Sequence, residues 1–259
     1  GTTESFSVRC RTFNLSPESL EEAIVNTLRE GRCRPRAVIP VDIFGQCADY
    51  ARIRPIAERY RLSVIQDAAQ SFGAVSRGQR AGSQGDLAAT SFFPAKPLGA
   101  YGDAGMVFTD DGDLHQKLLS IRIHGMGQDK YENVRVGLNG RLDSIQAAVL
   151  LAKFEIFEEE MKMRQEVADR YHQLLKDRVT VPVVRAHNRS AWAQYSVQHP
   201  RRSAIMKALA EEQIPSAIYY KIPLHLQKVF SSLGYREGDF PVTERVSRQI
   251  FSLPMHPYL

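Results

Sequence analysis

The sequence predicts an α/β protein, in which a large domain on a parallel or mixed sheet is followed by a smaller α+β domain. Two observations indicate this. Short apolar runs alternate with helical patterns in the first half of the chain, as in βαβ units, and the second half combines one long helical pattern with short strands and helices. With 259 residues, the chain is long enough for one large core or two unequal ones.

The first predicted element is a helix that runs to about Glu30. Ser16 can cap its start, Pro17 suits the first turn, and Leu15 can contact Leu20 across that turn. The cap, the proline and the hydrophobic contact therefore place the beginning of the helix at the same point.

A βαβ unit follows this helix. It consists of an apolar strand at 37–41, a helix at about 50–61, and a second apolar strand at 62–65 that runs out at Asp67. Such units form parallel sheets with right-handed crossovers, and ligands gather beyond the carboxyl ends of the strands. Asp67 is therefore expected at the ligand edge of the sheet.

A second block contains a strand at 87–93, a turn-rich loop at 96–105 and a strand at 106–109. From 142 to about 176, apolar residues recur without Gly or Pro, which predicts one long, bent helix. The later elements are a strand at 192–197, a helix at 203–213, a strand at 218–220 and a helix at 242–251. We expect residues 1–150 to form the large domain and residues 151–259 to form the long helix and the small domain.

Composition narrows the classes of protein. No apolar run is long enough to cross a bilayer, and the N-terminus does not resemble a signal peptide. We therefore expect a cytoplasmic protein that does not associate with a membrane. The net charge of +5 is scattered, which argues against a nucleic-acid partner. Cys10, Cys33 and Cys47 are too far apart for a metal or redox motif, and we expect reduced structural thiols and no metal.

Two side chains are candidates for chemistry at the predicted sheet edge. Asp67 can face a cofactor there, although an isolated Asp more often caps a helix or lies in a surface turn. Lys96 lies in a short loop between apolar strands, where partial desolvation would free its amine to attack a carbonyl carbon, although most lysines are solvated. Ser91 can donate its hydroxyl to a phosphate or make a structural hydrogen bond.

A third element is the loop before the long helix. Asn139 can cap that helix or contact a phosphate, and Arg141 can bind an anion through two parallel hydrogen bonds.

These segments resemble the three signatures of the DegT/StrS sugar aminotransferases. The similar segments are 65–74, 90–99 with 102–105, and 137–143 with 145–148, and the C-terminal segments 220–227 and 252–259 are also similar to that family. Three signatures in the right order are more specific than one lysine, and the resemblance covers almost the whole chain.

The resemblance implies a pyridoxal-phosphate (PLP) enzyme of fold type I that works as a homodimer with active sites shared between subunits. Carried over by position, Lys96 is the lysine that forms the Schiff base with the cofactor, and Asp67 is the partner of the pyridine nitrogen. Gln70 then contacts the ring's 3-hydroxyl and Ser91 binds the phosphate. Asn139 reaches the phosphate of the neighbouring subunit's cofactor.

The resemblance also implies the reaction. L-Glutamate gives its amino group to the cofactor and leaves as 2-oxoglutarate, and a nucleotide-linked keto-sugar then accepts the amino group. Segments 45–49 and 154–160 look most like enzymes that aminate a UDP-linked 3-keto-N-acetylhexuronic acid for surface polysaccharides such as O-antigen. For the sugar or its diphosphate, we expect contacts from Arg141, Tyr220 and His225, although His225 can equally be structural.

Alternatives remain at this point. A family member can hold PLP as a sensor or regulator, and a related class has histidine in place of the lysine and dehydrates the sugar, which Lys96 argues against. A nucleotide-binding doubly wound protein would need a G-x-G-x-x-G motif between the first strand and helix, and none is present. Family members are longer at the N-terminus, where 2–14 departs from their pattern. We therefore expect the chain alone to bind PLP weakly.

Overall fold

A computed structural model describes residues 11–31 and 33–259. Cys10 and most of the departure predicted at 2–14 lie outside these residues. The α-helices are α1 (Pro17–Glu30), α2 (Tyr50–Arg59), α3 (Gly112–Ile121), α4 (Ser144–Phe154), α5 (Phe157–Leu175), α6 (Arg202–Glu211) and α7 (Pro241–Gln249). The strands are β1 (Ala37–Val38), β2 (Ser63–Asp67), β3 (Val75–Ser76), β4 (Gln79–Arg80), β5 (Leu87–Ser91), β6 (Gly105–Phe108), β7 (Asn188–Arg189), β8 (Tyr195–Gln198) and β9 (Ile250–Leu253).

The main sheet has the order β1-β2-β5-β6. Strands β1, β2 and β5 are parallel to one another, and β6 returns antiparallel to β5. The predicted βαβ unit is thus present as β1, α2 and β2, and the predicted loop at 96–105 joins β5 to β6. A parallel sheet with one antiparallel edge strand is the mixed sheet that the sequence predicts.

The predicted start of α1 is confirmed. The Ser16 hydroxyl accepts a hydrogen bond from the Ser19 backbone N–H at 3.3 Å. Gly31 ends the helix in the left-handed conformation, with φ of 68°. Its apolar side packs on α2, and Leu20 and Ile53 are almost completely buried there.

The described residues contain three hydrophobic cores, a large one, a smaller one and a cluster of Phe13, Phe44, Val246 and Ile250. The larger core contains side chains of α1, α2, β2, α4 and the first turns of α5. The smaller core packs later turns of α5 against β8, β9 and α6, around the fully buried Tyr195. The second sheet pairs β8 with β9 antiparallel, with Tyr195 opposite Leu253.

The helix predicted at 142–176 is two helices, α4 and α5, which meet at Glu155 and Ile156. The break lets the rings of Phe154 and Phe157 stack at a centroid distance of 6.0 Å, and both rings pack against Phe72. No Gly or Pro marks the break, so the sequence pattern did not reveal it.

Other boundaries also differ from the prediction. The strand predicted at 218–220 is not formed, and this region makes only the isolated bridge from Ala217 to Ser252. The helix predicted to reach 251 ends at Gln249, because Ile250 begins β9 and pairs with Gln198. Helix α3 and the small sheet of β4, β3 and β7 were not predicted.

The boundary at residue 150 stays a prediction, and the segments on either side of it are closely joined. β7 pairs antiparallel with β3, and the Ala191 backbone N–H donates to the Gly45 carbonyl at 2.8 Å. In the described ranges, no helix is long and apolar enough to cross a bilayer. The same residues contain no group of three or more His, Cys, Asp or Glu placed to hold a metal ion.

Gly45 lies close against the backbone of residues 191–193, and its replacement provides a test of the packing. Its φ is 107°, and an added Cβ would lie 2.6 Å from the backbone N of Trp192. We expect Gly45→Ala to lower the free energy of unfolding by more than ~2 kcal/mol, because the strained backbone and the collision with main-chain atoms add together. Chemical denaturation measures this change.

Gly31→Ala is the matched control. Gly31 also has a positive φ, but an added Cβ would meet nothing within 4 Å. It should cost only the backbone strain of about 1–2 kcal/mol. Equal losses for the two variants would contradict the close packing at Gly45.

Candidate active site

Parallel pairing brings the ends of β2 and β5 to the same edge of the sheet. Asp67 is the last residue of β2 and pairs with Ala89, and β5 continues to Ser91 beyond that point. The turn after Asp67 is tied to β5, because the Ala68 backbone N–H donates to the Ala89 carbonyl at 2.8 Å. The buried Thr90 hydroxyl donates to the Ala68 carbonyl at 3.0 Å. The sheet therefore fixes the position of Asp67 relative to the end of β5, from which the Lys96 loop begins.

The Asp67 side chain is half-buried, and one carboxylate oxygen accepts from the Ala69 backbone N–H at 3.0 Å. This is the turn geometry that an isolated Asp often adopts. One carboxylate oxygen can accept more than one hydrogen bond, and the second oxygen adds further acceptor capacity. Asp67 can therefore stabilise the turn and still accept a hydrogen bond from a protonated nitrogen of a ligand.

Lys96 lies in the loop that follows β5. Its backbone N–H donates to the Phe93 carbonyl at 2.8 Å, and the loop closes where the Ala100 backbone N–H donates to the Phe92 carbonyl at 2.8 Å. Gly99 is required for this closure, because an added Cβ would collide with the Pro94 carbonyl. The loop is thus compact, and the Lys96 side chain leaves it half-buried.

The electrostatics link Lys96 to Asp67. Burial lowers the pKa of the Lys96 ammonium below its usual value, and the Asp67 carboxylate opposes this by raising the same pKa. The amine therefore gains neutral, nucleophilic character while it remains within the field of the acid at the end of β2. The cofactor roles that the sequence predicts for these two residues stay predictions.

Helix α4 holds the far side of the Lys96 loop. The Lys153 ammonium donates to the Gly99 carbonyl at 2.5 Å, and the Gln146 side-chain oxygen accepts from the Tyr101 backbone N–H at 2.8 Å. These two contacts of α4 with the loop were not predicted from the sequence.

Gln70 and Tyr220, which the sequence predicts for the ring and for the sugar, are in direct contact. The Gln70 side-chain amide donates to the Tyr220 hydroxyl at 3.2 Å. Its oxygen accepts from the Phe44 backbone N–H at 2.6 Å. The amide is therefore oriented from both ends, and Tyr220 reaches the β2 turn from a position 150 residues further along the chain.

Ser91 ends β5 at the same edge as Asp67. Its oxygen accepts from the Phe93 backbone N–H at 3.2 Å, and its hydroxyl proton can still be donated.

Asn139 and Arg141 pair with each other rather than with this group. The Arg141 Nε donates to the Asn139 side-chain oxygen at 2.9 Å, and both residues are exposed. Arg141 also lines a cleft of about 1200 Å³ along β6 and α3, whose lining contains neither Asp67 nor Lys96. A cofactor role for Asn139 within its own chain gains no support from these contacts.

His225 is enclosed within the C-terminal part of the chain. Its side chain has no exposed surface, and its Nε2 lies 3.1 Å from a Glu244 oxygen. The rings of Tyr235 and Phe240 pack edge-on against the imidazole. This arrangement favours the structural alternative, and a sugar contact from His225 stays a prediction.

A buried carboxylate that was not predicted from the sequence lies next to the end of β2. Asp42 is completely buried, and burial raises its pKa to about 6 against the opposing effect of hydrogen bonds from Ala48, Gln66, Ser71 and Tyr50. The available signal was a carboxylate inside the apolar run at 40–45.

The residues at the sheet edge fit pyridoxal phosphate. The cofactor requires an amine for its aldehyde, an acid for its pyridine nitrogen and polar groups around its ring. Lys96, Asp67 and Gln70 supply these groups on adjoining segments, and Ser91 offers a hydroxyl for the phosphate.

The fold defines a fold type I transferase, and comparison with known proteins gives the family. The profile of the DegT/DnrJ/EryC1/StrS aminotransferase family matches residues 6–259. The chain belongs to this family. The predicted family, fold and class of aminotransferase are confirmed, and the family depends on pyridoxal phosphate.

Individual relatives agree with this assignment. The chain is 44% identical over 250 residues to the UDP-2-acetamido-2-deoxy-3-oxo-D-glucuronate aminotransferase of Pseudomonas aeruginosa, which covers 96% of this chain and 67% of that protein. It is 41% identical over 252 residues to a pleiotropic regulatory protein of Geobacillus stearothermophilus, covering 96% and 66%. The crystal structure of a DegT/DnrJ/EryC1/StrS aminotransferase from Brucella abortus matches with a TM-score of 0.95 and 50% identity, covering 98% and 68%. The chain thus spans about two thirds of the length of these relatives.

The electrostatic link between Lys96 and Asp67 can be tested in the cofactor-free protein. Asp67→Asn should lower the pKa of Lys96 further, because it removes the charge that stabilises the ammonium. The pH dependence of Lys96 acetylation by acetic anhydride, followed by mass spectrometry, measures this pKa. The labelling curve should move to lower pH.

Asp113→Asn is the control, because Asp113 lies in the first turn of α3 and is not among the charges that shift the Lys96 pKa. An unchanged or upward-shifted curve for Asp67→Asn would refute the link.

Proposed function

We propose that the protein transfers the amino group of L-glutamate to a nucleotide-linked keto-sugar, with pyridoxal phosphate bound between Lys96 and Asp67. The observation that carries the proposal is the parallel pairing of β2 with β5, which brings Asp67 and the loop of the half-buried Lys96 to the same edge of the sheet. Burial lowers the pKa of Lys96, and the Asp67 carboxylate opposes this shift. Family membership and the aminotransferases among its relatives support the same reaction.

When bound, pyridoxal phosphate withdraws electrons from the carbon that loses a proton. Lys96 would hold the cofactor's aldehyde carbon through Nζ. With the amino donor bound, the freed Nζ would serve as the general base for the proton on the donor's α carbon and then as the general acid that returns it. Burial lowers the pKa of this amine, which increases its unprotonated fraction at a given pH.

Asp67 acts at the other end of the ring by holding a proton on the pyridine nitrogen through its carboxylate. Gln70, oriented by the Phe44 backbone, positions the ring at its 3-hydroxyl, and Ser91 donates to the phosphate. Tyr220 lies next to Gln70 and is placed to contact the sugar. We propose that Arg141 binds the diphosphate. A sugar contact from His225 stays a prediction, because its burial favours a structural role.

The proposed acceptor is a UDP-linked 3-keto-N-acetylhexuronic acid. The Pseudomonas aeruginosa relative, 44% identical, is named for the amination of such a sugar. We place the reaction in the synthesis of a surface polysaccharide such as O-antigen, and the protein in the cytoplasm.

The proposal includes a homodimer with shared active sites. An exposed apolar surface surrounds Asn139, on the loop that precedes α4 and on α4 itself, and Val136 has 95% of its surface exposed. Leu138, Ile145 and Leu151 are also exposed. In the proposed dimer, this surface is buried against a second copy and Asn139 lies near the partner's cofactor. This arrangement would explain why Asn139 does not contact Asp67 or Lys96 of its own chain.

The alternative is a family member that holds the cofactor as a sensor or regulator, and one relative is named as a pleiotropic regulatory protein. The comparisons favour the catalytic role. The two roles differ in turnover, because a sensor would bind the cofactor without converting glutamate to 2-oxoglutarate.

Lys96→Ala tests the catalytic proposal. In the full-length protein reconstituted with pyridoxal phosphate, it should abolish the glutamate-driven loss of the cofactor's long-wavelength absorbance and lower 2-oxoglutarate release by at least about a thousandfold, because nucleophile and base are both lost. Absorbance and product assay give both readings.

Lys207→Ala is the control, since Lys207 is a mostly exposed lysine on α6. Turnover that persists in Lys96→Ala would reject the assignment of Lys96. Cofactor bound by the unsubstituted protein without turnover, on a panel of keto-sugars, would favour the sensor.

The shared site is tested by mixing two inactive variants, Lys96→Ala and Asn139→Ala, through co-expression. If each site takes Lys96 from one subunit and Asn139 from the other, hybrid dimers contain one native site, and about a quarter of the native activity returns. If both residues serve the same subunit's site, hybrid dimers contain no native site. Activity no higher than that of the separate variants would therefore contradict the shared arrangement.

A further inference from the structure

Asp42 lies directly behind the proposed cofactor site and belongs to the segment next to β2. Its backbone N–H donates to the Asp67 carbonyl at 3.0 Å, and the Asp67 backbone N–H donates to the Pro40 carbonyl at 3.0 Å. Val41 pairs with Asp67 as an isolated parallel bridge. The Asp42 side chain is completely buried, so its contacts are with the protein rather than with solvent.

One oxygen of this carboxylate bonds both ends of the segment from Asp67 to Gln70. Oδ2 accepts from the Gln66 side-chain amide at 2.7 Å and from the Ser71 hydroxyl at 2.8 Å. Gln66 immediately precedes Asp67, and Ser71 immediately follows Gln70. The two proposed cofactor ligands are thus enclosed between two residues that share the same acceptor atom.

The other oxygen secures the turn that faces Gln70. Oδ1 accepts from the Ala48 backbone N–H at 2.8 Å and from the Tyr50 hydroxyl at 3.0 Å. Within the same turn, the Phe44 backbone N–H donates to the Gln70 side-chain oxygen. The carboxylate therefore positions both Gln70 itself and the backbone group that orients its amide.

Charge makes these bonds strong and their loss costly. Burial raises the pKa of Asp42 to about 6, with the four donors acting in the opposite direction, so the group is ionised at the slightly alkaline pH of a typical assay. Burial raises the pKa of the neighbouring Tyr50 and Cys47, and the Asp42 charge raises both further. Hydrogen bonds to a buried ionised acceptor are stronger than those between neutral groups.

We infer that Asp42 is a positioning residue for the cofactor site, which sets the placement of Asp67 and Gln70 through the hydrogen bonds that flank them. The inference rests on the proposed function, because it assumes that Asp67 and Gln70 contact the ring of pyridoxal phosphate. A carboxylate that served only the core would affect global stability and leave the affinity for the cofactor unchanged.

Asp42→Asn in the full-length protein tests the inference with two readouts. In the cofactor-free form, amide hydrogen exchange should accelerate in segments 42–50 and 66–71 but not in α7, because the bonds that join these segments are weakened. Titration with pyridoxal phosphate should show roughly tenfold weaker binding, since the ring ligands are no longer held in place.

Glu160→Gln is the matched control. Glu160 is also a buried carboxylate, and it accepts a hydrogen bond from the Tyr258 hydroxyl at 2.8 Å. The substitution removes the same charge from a different part of the fold, so cofactor affinity and exchange in segments 42–50 and 66–71 should match those of the unsubstituted protein.

Ser71→Ala is a milder variant that removes one of the flanking bonds and decides the matter if Asp42→Asn does not fold. It should weaken cofactor binding about threefold. The double variant should bind about as weakly as Asp42→Asn alone, because both substitutions remove the same bond.

The inference is overturned if Ser71→Ala, and Asp42→Asn where it folds, bind the cofactor as tightly as the unsubstituted protein, or no more weakly than Glu160→Gln. Failure of the proposed function has a different signature, because the unsubstituted protein itself would then not form a borohydride-reducible link between Lys96 and pyridoxal phosphate.

Discussion

The parallel pairing of β2 with β5 is the constraint on which the site depends. It sets Asp67 opposite Ala89 and carries β5 two residues further, so that the loop with Lys96 begins at the edge where Asp67 ends. Asp67 at the end of β2 and Lys96 in the compact loop after β5 thereby lie at the same edge of the sheet. The chemistry proposed for this protein needs an amine and an acid at opposite ends of one flat ring, and the sheet fixes the ends of the two strands from which these groups follow.

Packing on both sides of this edge holds the residues of the site in place. The Lys96 loop is compact because Gly99 can approach Pro94, and it is held from α4 by Lys153 and Gln146. On the other side, Asp42 holds the segment from Asp67 to Gln70. Side chains that are held by rigid neighbours lose little conformational entropy when they bind a cofactor. This small loss is the physical basis of preorganisation.

The fold and the positions of Asp67 and Lys96 on it could be predicted because their signals are local. A strand that ends in Asp67 and a glycine-containing loop around Lys96 are visible in a few consecutive residues, and the family resemblance extends along the chain. The Asp42 network was not predictable, since Gln66 and Ser71 lie 24 and 29 residues away. The contact of Tyr220 with Gln70 depends on tertiary packing, and the break between α4 and α5 has no Gly or Pro to mark it.

A crystal structure of the full-length protein with pyridoxal phosphate would measure the central claim most directly, through the distances from the cofactor to residues 96 and 67. The account predicts continuous density between the Lys96 Nζ and the aldehyde carbon, with an Asp67 carboxylate oxygen within hydrogen-bonding distance, about 2.6–3.2 Å, of the pyridine nitrogen. A ring bound elsewhere, or one that reaches Lys96 while Asp67 points into a separate space, would contradict it.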